Sequence, residues 1–301
     1  MSSWLVTGAA GMLGQDLLAV LRARPDIKVT GLARAELDIT DPAAVRSAVA
    51  GHDVVVNAAA WTNVDSAEES EAAATAINGA GVRNLAAACA EHRAVLLHVS
   101  TDYVLPGNAT EPYPEDAATG PLNAYGRSKL VGESAVAELL PELGYVVRTA
   151  WLYGEHGPNF VATMLKLAAV RETVDVVEDQ LGQPTWSYAL AERLVALGDR
   201  ALAGAAPAGV YHGTAAGSTS WFGLARAAYE LAGLDPQRIR PTTAAAFARP
   251  AARPAFSVLG HERWAEAGLA PMPAWQTLLR QALEQPVFAQ LAAEAQPVTG
   301  G

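Results

Sequence analysis

Short apolar runs and amphipathic stretches alternate through the first half of the chain. Residues 4–7, 28–32, 53–57, 95–100 and 145–149 are bounded by turn residues and predict five strands. Between them, apolar positions recur at helical spacing over residues 13–21, 72–92 and 124–140. Another helix starts at Asp41-Pro42, with aspartate as N-cap and proline at the first helical position. Runs such as Val54-Val55-Val56 and Val95-Leu96-Leu97 lack polar alternation, which suits strands covered on both faces. The implied class is α/β, with a Rossmann-like, doubly wound parallel sheet. Beyond residue 150 the pattern is less regular. Residues 160–170, 188–203, 220–232 and 274–282 predict helices, 174–177 and 209–212 strands, and 242–254 a loop. The expected division is a Rossmann domain over residues 1–150 and a smaller C-terminal lobe over 151–301, with a later strand able to return to the first sheet. Residues 297–301 read as a frayed end.

Composition narrows the function classes. With 51% hydrophobic and 17% charged residues the chain is globular. Its net charge of -10 argues against a nucleic-acid groove but leaves room for a small basic pocket. Cys89 is the only cysteine, which excludes an intrachain disulfide and fits the cytoplasm; its alanine-rich surroundings make it a core residue. No basic leader and no apolar run near ~20 residues is found, so no membrane partner is expected. The six histidines show no metal-ligand spacing, His98 reads as a core residue, and Asp16 and Glu192 read as surface charges, so no metal site is expected.

Candidate chemistry begins at the first strand-helix junction. Gly8, Gly11 and Gly14 are spaced G-x-x-G-x-x-G, with Met12 and Leu13 opening the helix. Gly8 permits the tight turn, Gly11 lets amides approach a pyrophosphate, and Gly14 lets helix and strand pack closely. The helix N-terminus then faces the phosphates. At the end of the second strand stand Ala33 and Arg34, where an acid would favour an unphosphorylated ribose. Arg34 favours NADPH, with NADH the alternative, and Asp38 and Ile39 are placed to border the adenine.

Tyr125 and Lys129 form Y-x-x-x-K at the start of a predicted helix, on one face. A nearby ammonium would lower the phenol pKa, so that Tyr125 could exchange a proton with a carbonyl oxygen during hydride transfer. Lys129 could also hold the nicotinamide ribose. Thr101, at the end of the fourth strand, can donate to the same oxygen.

These segments, together with Leu37 to Asp41, Asn57 to Asp65, Ser100 to Val104, Pro121 to Lys129, Arg148 to Gly154, Asn159 to Val161, Asp179 to Thr185 and Arg253-Pro254, resemble the extended short-chain dehydrogenases. Within them the chain is similar to the dTDP-4-dehydrorhamnose reductase family, including its dTDP-dihydrostreptose synthase branch. The resemblance implies a catalytic set of Thr101, Tyr125 and Lys129, with Ala58, Ala59 and Ala60 along the cofactor. It implies that Asp102, Tyr103, Trp151 and Arg253 face a dTDP-linked keto-sugar, and it allows a homodimer. The implied reaction is NADPH-dependent reduction of the 4-keto group. Trp61 and Leu105 stand where many members carry tyrosine and phenylalanine. A nucleotide-sugar 4-epimerase and a non-catalytic NADP-binding subunit are the alternatives on the same scaffold.

Overall fold

The structure is a computed structural model and describes residues 1–296; the expected frayed end at 297–301 lies outside the described residues. Strand β1 (Ser2–Thr7) leads into α1 (Met12–Arg22), followed by β2 (Ile27–Leu32), α2 (Pro42–Val49) and β3 (Val54–Asn57). Asp41 caps α2 as expected, its carboxylate accepting from the amides of Ala43 and Ala44. Next come α3 (Val64–Glu69), α4 (Glu71–Thr75), α5 (Val82–His92), β4 (Val95–Thr101), α6 (Ala124–Leu139) and β5 (Gly144–Thr149). The second half contributes β6 (Leu152–Tyr153), α7 (Phe160–Val170), β7 (Val174–Val177), β8 (Leu181–Gly182), β9 (Thr185–Trp186), α8 (Ser187–Leu202), β10 (Gly209–His212) and α9 (Trp221–Leu231).

The main sheet has six strands in the order β10-β5-β4-β3-β1-β2, all parallel. Its outer strand on one side, β10, therefore comes from the second half of the chain. Side-chain alternation divides the core. Leu5, Val55, Leu96 and Val146 face α2, α5 and α6, while Trp4, Val6, Val56 and Leu97 face α1 and α8. Cys89 and His98 are both buried, as the sequence predicts. The chain switches direction across the sheet between β1 and β3, so the loops after these strands diverge and open a crevice at their C-terminal ends. No helix among the described residues is long and apolar enough to cross a membrane.

The expected single helix over 72–92 is broken. Residues Ala76–Gly81 form a π turn between α4 and α5. The cause is side-chain chemistry that helical periodicity does not register. The Asn78 amide clasps Trp61, accepting from its N–H at 2.9 Å and donating to its carbonyl at 3.0 Å, and donates to Ser128 Oγ at 2.9 Å. Gly79 and Gly81 leave space for Val131 and Ile39. Helix α3, which the pattern does not predict, is capped by Asn63.

Gly198 of α8 lies on the fully buried Trp4 indole; a β carbon there would stand 2.2 Å from the ring. Alanine ordinarily stabilises a helix interior relative to glycine by about 1 kcal/mol. Here overpacking against a rigid ring costs about 1–3 kcal/mol and should reverse the sign. Gly198→Ala is expected to lower the melting temperature by several degrees in calorimetry; a rise would show that the Trp4 contact does not constrain the helix.

Candidate active site

A cavity of about 890 Å³ follows the crevice from the glycine turn to the irregular second half. At one end the turn is built as its spacing predicts. Gly8 has φ +70°, and a β carbon on it would stand 2.6 Å from the Ala59 amide nitrogen, so only glycine lets the first and third strand loops meet. Gly14 presses on Gly8, with 2.2 Å between its would-be β carbon and the Gly8 carbonyl oxygen. The Gly11 amide closes the turn by donating to Gly8 at 2.9 Å. The next amides, of Met12 and Leu13, belong to the first turn of α1, where the helix itself offers no acceptor. Gly8, Gly11, Met12, Leu13 and Gly14 all line the cavity. So do Arg34, Asp38 and Ile39 beyond β2, and Ala58, Ala59 and Ala60 beyond β3. Thr40 holds the Asp38 carboxylate through its amide at 2.9 Å and its hydroxyl at 2.7 Å, and these bonds keep its pKa low.

Midway along the wall, Thr101, Tyr125 and Lys129 come together. Asn123 caps α6 through Gly126 at 2.8 Å, and Gly126 is required because a β carbon would stand 2.2 Å from the Tyr103 carbonyl oxygen. That close approach seats the first turn of α6 on the end of β4. Lys129 is 2% exposed, and its ammonium donates to the Val99 carbonyl at 2.7 Å. Burial lowers its pKa to about 8, against the stabilising field of Glu133. Glu133, four residues further along α6, forms a buried two-pronged pair with Arg148 of β5 at 3.0 and 2.8 Å. This pair fixes the helix against the sheet.

The phenol departs from the expectation. Tyr125 is not lowered by Lys129: burial, and next the Asp102 carboxylate, push its pKa up, with the Thr101 hydroxyl opposing them. The ammonium is turned to the Val99 carbonyl. The side chain is thus a protonated phenol at neutral pH, the form of a proton donor. Asp102 is buried, accepts from Thr101 Oγ1 at 2.9 Å through Oδ1, and has no protein hydrogen-bond partner at Oδ2. Burial pushes its carboxyl up to about 6 despite the Ser257 and Thr101 hydroxyls.

At the far end stand Tyr103 and Trp151. Tyr103 meets the Tyr125 ring edge-on at 6.0 Å. Trp151 has φ +48°, a strained left-handed backbone for a bulky residue. Its indole stacks on Trp221 at 3.6 Å, with 9° between planes, and lies over Gly182, where a β carbon would stand 2.5 Å from the ring. Arg253 does not join the cavity wall. Its guanidinium is held by the Asp65 carboxylate at 3.0 Å and the Ala251 carbonyl at 2.9 Å.

One further reading from sequence needs correction. Asp16 is not a surface charge: it is 5% exposed, because α1 packs on α8 and brings it to the Ser187 hydroxyl. Trp221, Asn78 and His156 were not singled out. Nothing local marks Trp221 or His156, which reach the site only through tertiary packing. The Asn78-Gly79 pair inside a helical pattern was a usable signal of a break. Among the described residues, no group of three or more His, Cys, Asp or Glu is arranged to hold a metal ion.

Comparison with known proteins bears on the chemistry of this site. The profile of the RmlD substrate binding domain matches residues 2–287. A dTDP-4-dehydrorhamnose reductase of Streptomyces griseus is 58% identical over 280 residues, covering 92% of each chain. A dTDP-4-keto-6-deoxy-D-glucose reductase of Streptomyces niveus is 52% identical, covering 93% of this chain and 96% of that one. The crystal structure of dTDP-4-dehydrorhamnose reductase from Bacillus anthracis, in complex with NADP, superimposes with a TM-score of 0.88 at 36% identity, over 94% of this chain and 99% of that one. With the family profile spanning nearly the whole chain and a Thr-Tyr-Lys group seated in its crevice, the protein belongs to the RmlD family of dTDP-4-dehydrorhamnose reductases and is an oxidoreductase of the extended short-chain dehydrogenase type.

Proposed function

We propose that the protein uses NADPH to reduce the 4-keto group of a dTDP-linked 4-keto-6-deoxysugar, with dTDP-4-dehydrorhamnose as substrate and dTDP-L-rhamnose as product. The observation that carries this reading is that Thr101, Tyr125 and Lys129 share one cavity with the glycine turn at one end and two indoles at the other. The residues fit the cofactor. The glycine turn leaves a cradle without β carbons, the first amides of α1 are free to donate, and Arg34 stands where a 2′-phosphate needs a cation. The NADP complex of the Bacillus anthracis relative supports the choice of nucleotide.

In this reading Met12 and Leu13 donate to the diphosphate, Arg34 pairs with the 2′-phosphate, and Asp38 and Ile39 border the adenine. Ala58, Ala59 and Ala60 flank the dinucleotide, and Lys129 holds the nicotinamide ribose. NADPH supplies the hydride to the carbonyl carbon when bound. Thr101 steadies the carbonyl oxygen, and Tyr125, protonated through burial, donates its proton as negative charge develops there. Asp102, Tyr103 and Trp151 receive the sugar. Arg253 serves the sugar-nucleotide diphosphate if the ligand extends past Tyr103 to the Asp65 pair. The reading assigns the enzyme to the cytoplasm, in line with a single free, buried cysteine.

Tyr125→Phe is expected to lower turnover by about 10²–10⁴-fold while leaving NADPH affinity unchanged. Near-normal turnover would remove Tyr125 from the chemistry. The substrate reading is checked by mixing the protein with NADPH and dTDP-4-dehydrorhamnose and identifying the product by NMR. Stoichiometric oxidation with a rhamnosyl product is expected, and an intact, NADPH-binding protein that leaves this sugar unreduced overturns it.

The two shifted groups set the pH dependence. The Asp102 pKa is raised to about 6, so its carboxylate forms as pH climbs through that value. The Lys129 pKa is lowered to about 8, so its ammonium is lost above it. The free-enzyme profile of kcat/KM should therefore be a bell between these limbs, and Asp102→Asn should erase the acid limb. An acid limb that survives Asp102→Asn would assign it to another group.

A further inference from the structure

His156 lies in the loop between β6 and α7 and lines the cavity beside the glycine turn. That loop presses on the turn: a β carbon on Gly154 would stand 3.3 Å from the Met12 side chain. Behind the imidazole, Nε2 is 3.8 Å from Oδ1 of Asp16, whose other oxygen accepts the Ser187 hydroxyl. Burial pushes the Asp16 carboxyl up, while Ser187 and then His156 pull it back and neighbouring Glu155 adds to the rise. The Glu155 carboxylate itself accepts the Val287 amide at 3.4 Å. Asp16 is thus the acid that faces this imidazole, with Ser187, Glu155 and Tyr188 around the carboxylate.

An acid on the second turn of a phosphate-facing helix is out of keeping with an anion site. It repels the ligand unless a hydrogen-bond donor stands between them. His156 occupies that position, with its side chain 37% exposed against 7% for Asp16. The basic side chains on the cavity wall, among the described residues, are Arg34, Lys129 and His156. The proposed reaction engages the first two elsewhere, yet it brings two diphosphates into one cavity. We propose that His156 is a further cofactor-binding residue, an imidazole that Asp16 holds beside the glycine turn and that donates to the dinucleotide diphosphate. Asp16 and Ser187 are its positioning residues. The inference rests on the NADPH reading above.

The test is fluorescence titration of the purified full-length protein with NADPH. A charge-assisted hydrogen bond at a partly exposed position makes His156→Gln raise Kd about tenfold. His156→Arg, which places a guanidinium N–H donor at this position, should recover most of that loss. Ser187→Ala, which loosens Asp16 without touching the cavity wall, should weaken binding by a smaller factor. A His156→Gln protein with wild-type Kd overturns this role alone, and so does equal weakening by Gln and Arg, which would mark a packing effect. Wild-type protein that binds no NADPH overturns the cofactor reading and this inference together.

Discussion

An ammonium buried almost completely inside the protein is the constraint on which the site depends. Removing a charge from water costs several kcal/mol unless its hydrogen bonds and field are supplied from within. For Lys129 the Val99 carbonyl supplies the bond, and Glu133, one helical turn further on, supplies the field. Glu133 is in turn neutralised by Arg148 of β5. The charge chain therefore runs from the cavity wall through α6 to the sheet. Helix α6 cannot rotate or slide without stripping a buried ion of its partner, so the positions of Tyr125 and Lys129 against the end of β4 are fixed together.

The close contacts around α6 serve the same end. Gly126 admits the Tyr103 backbone, and Gly132 admits the Asn78 carbonyl, with 2.2 Å left for a β carbon in each case. Through Asn78 the π turn joins the Trp61 loop, which follows Ala58, Ala59 and Ala60, to Ser128 on α6. π turns interrupt helices at a cost in regularity and recur at functional sites. Here the cost is offset by three hydrogen bonds of the Asn78 side chain, one of them fully buried. Tyr125 lines the cavity beside Asp102, and desolvation together with that carboxylate keeps the phenol protonated. The same burial that makes Lys129 reluctant to be charged makes Tyr125 reluctant to ionise.

The far end of the cavity stores strain of another kind. Trp151 holds a left-handed backbone and is sandwiched between Trp221 and the bare backbone of Gly182. Stacking of two indoles, which bury large apolar area, overdetermines the conformation. The result is a stacked aromatic wall at one end of the cavity.

Much of this was legible in the chain. The alternation of strands and helices, the glycine spacing, the Asp41-Pro42 start and the Tyr125–Lys129 spacing are local, and local sterics and hydrogen bonding determine them. So is the family resemblance, carried by contiguous motifs. What the sequence could not register depends on which residues meet across the fold. The direction of the Tyr125 shift follows first from its burial and then from the Asp102 carboxylate, neither of which the Tyr-Lys spacing registers. The burial of Asp16 follows from the packing of α1 on α8, the occupation of Arg253 from Asp65 lying 188 residues away, and the Trp151–Trp221 wall from the joining of β8 to residues Thr219–Ser220. Periodicity and spacing determine which face a side chain takes; burial, the low dielectric it creates and the partner found there are decided only when the chain closes on itself, and these set the charge state and therefore the chemistry.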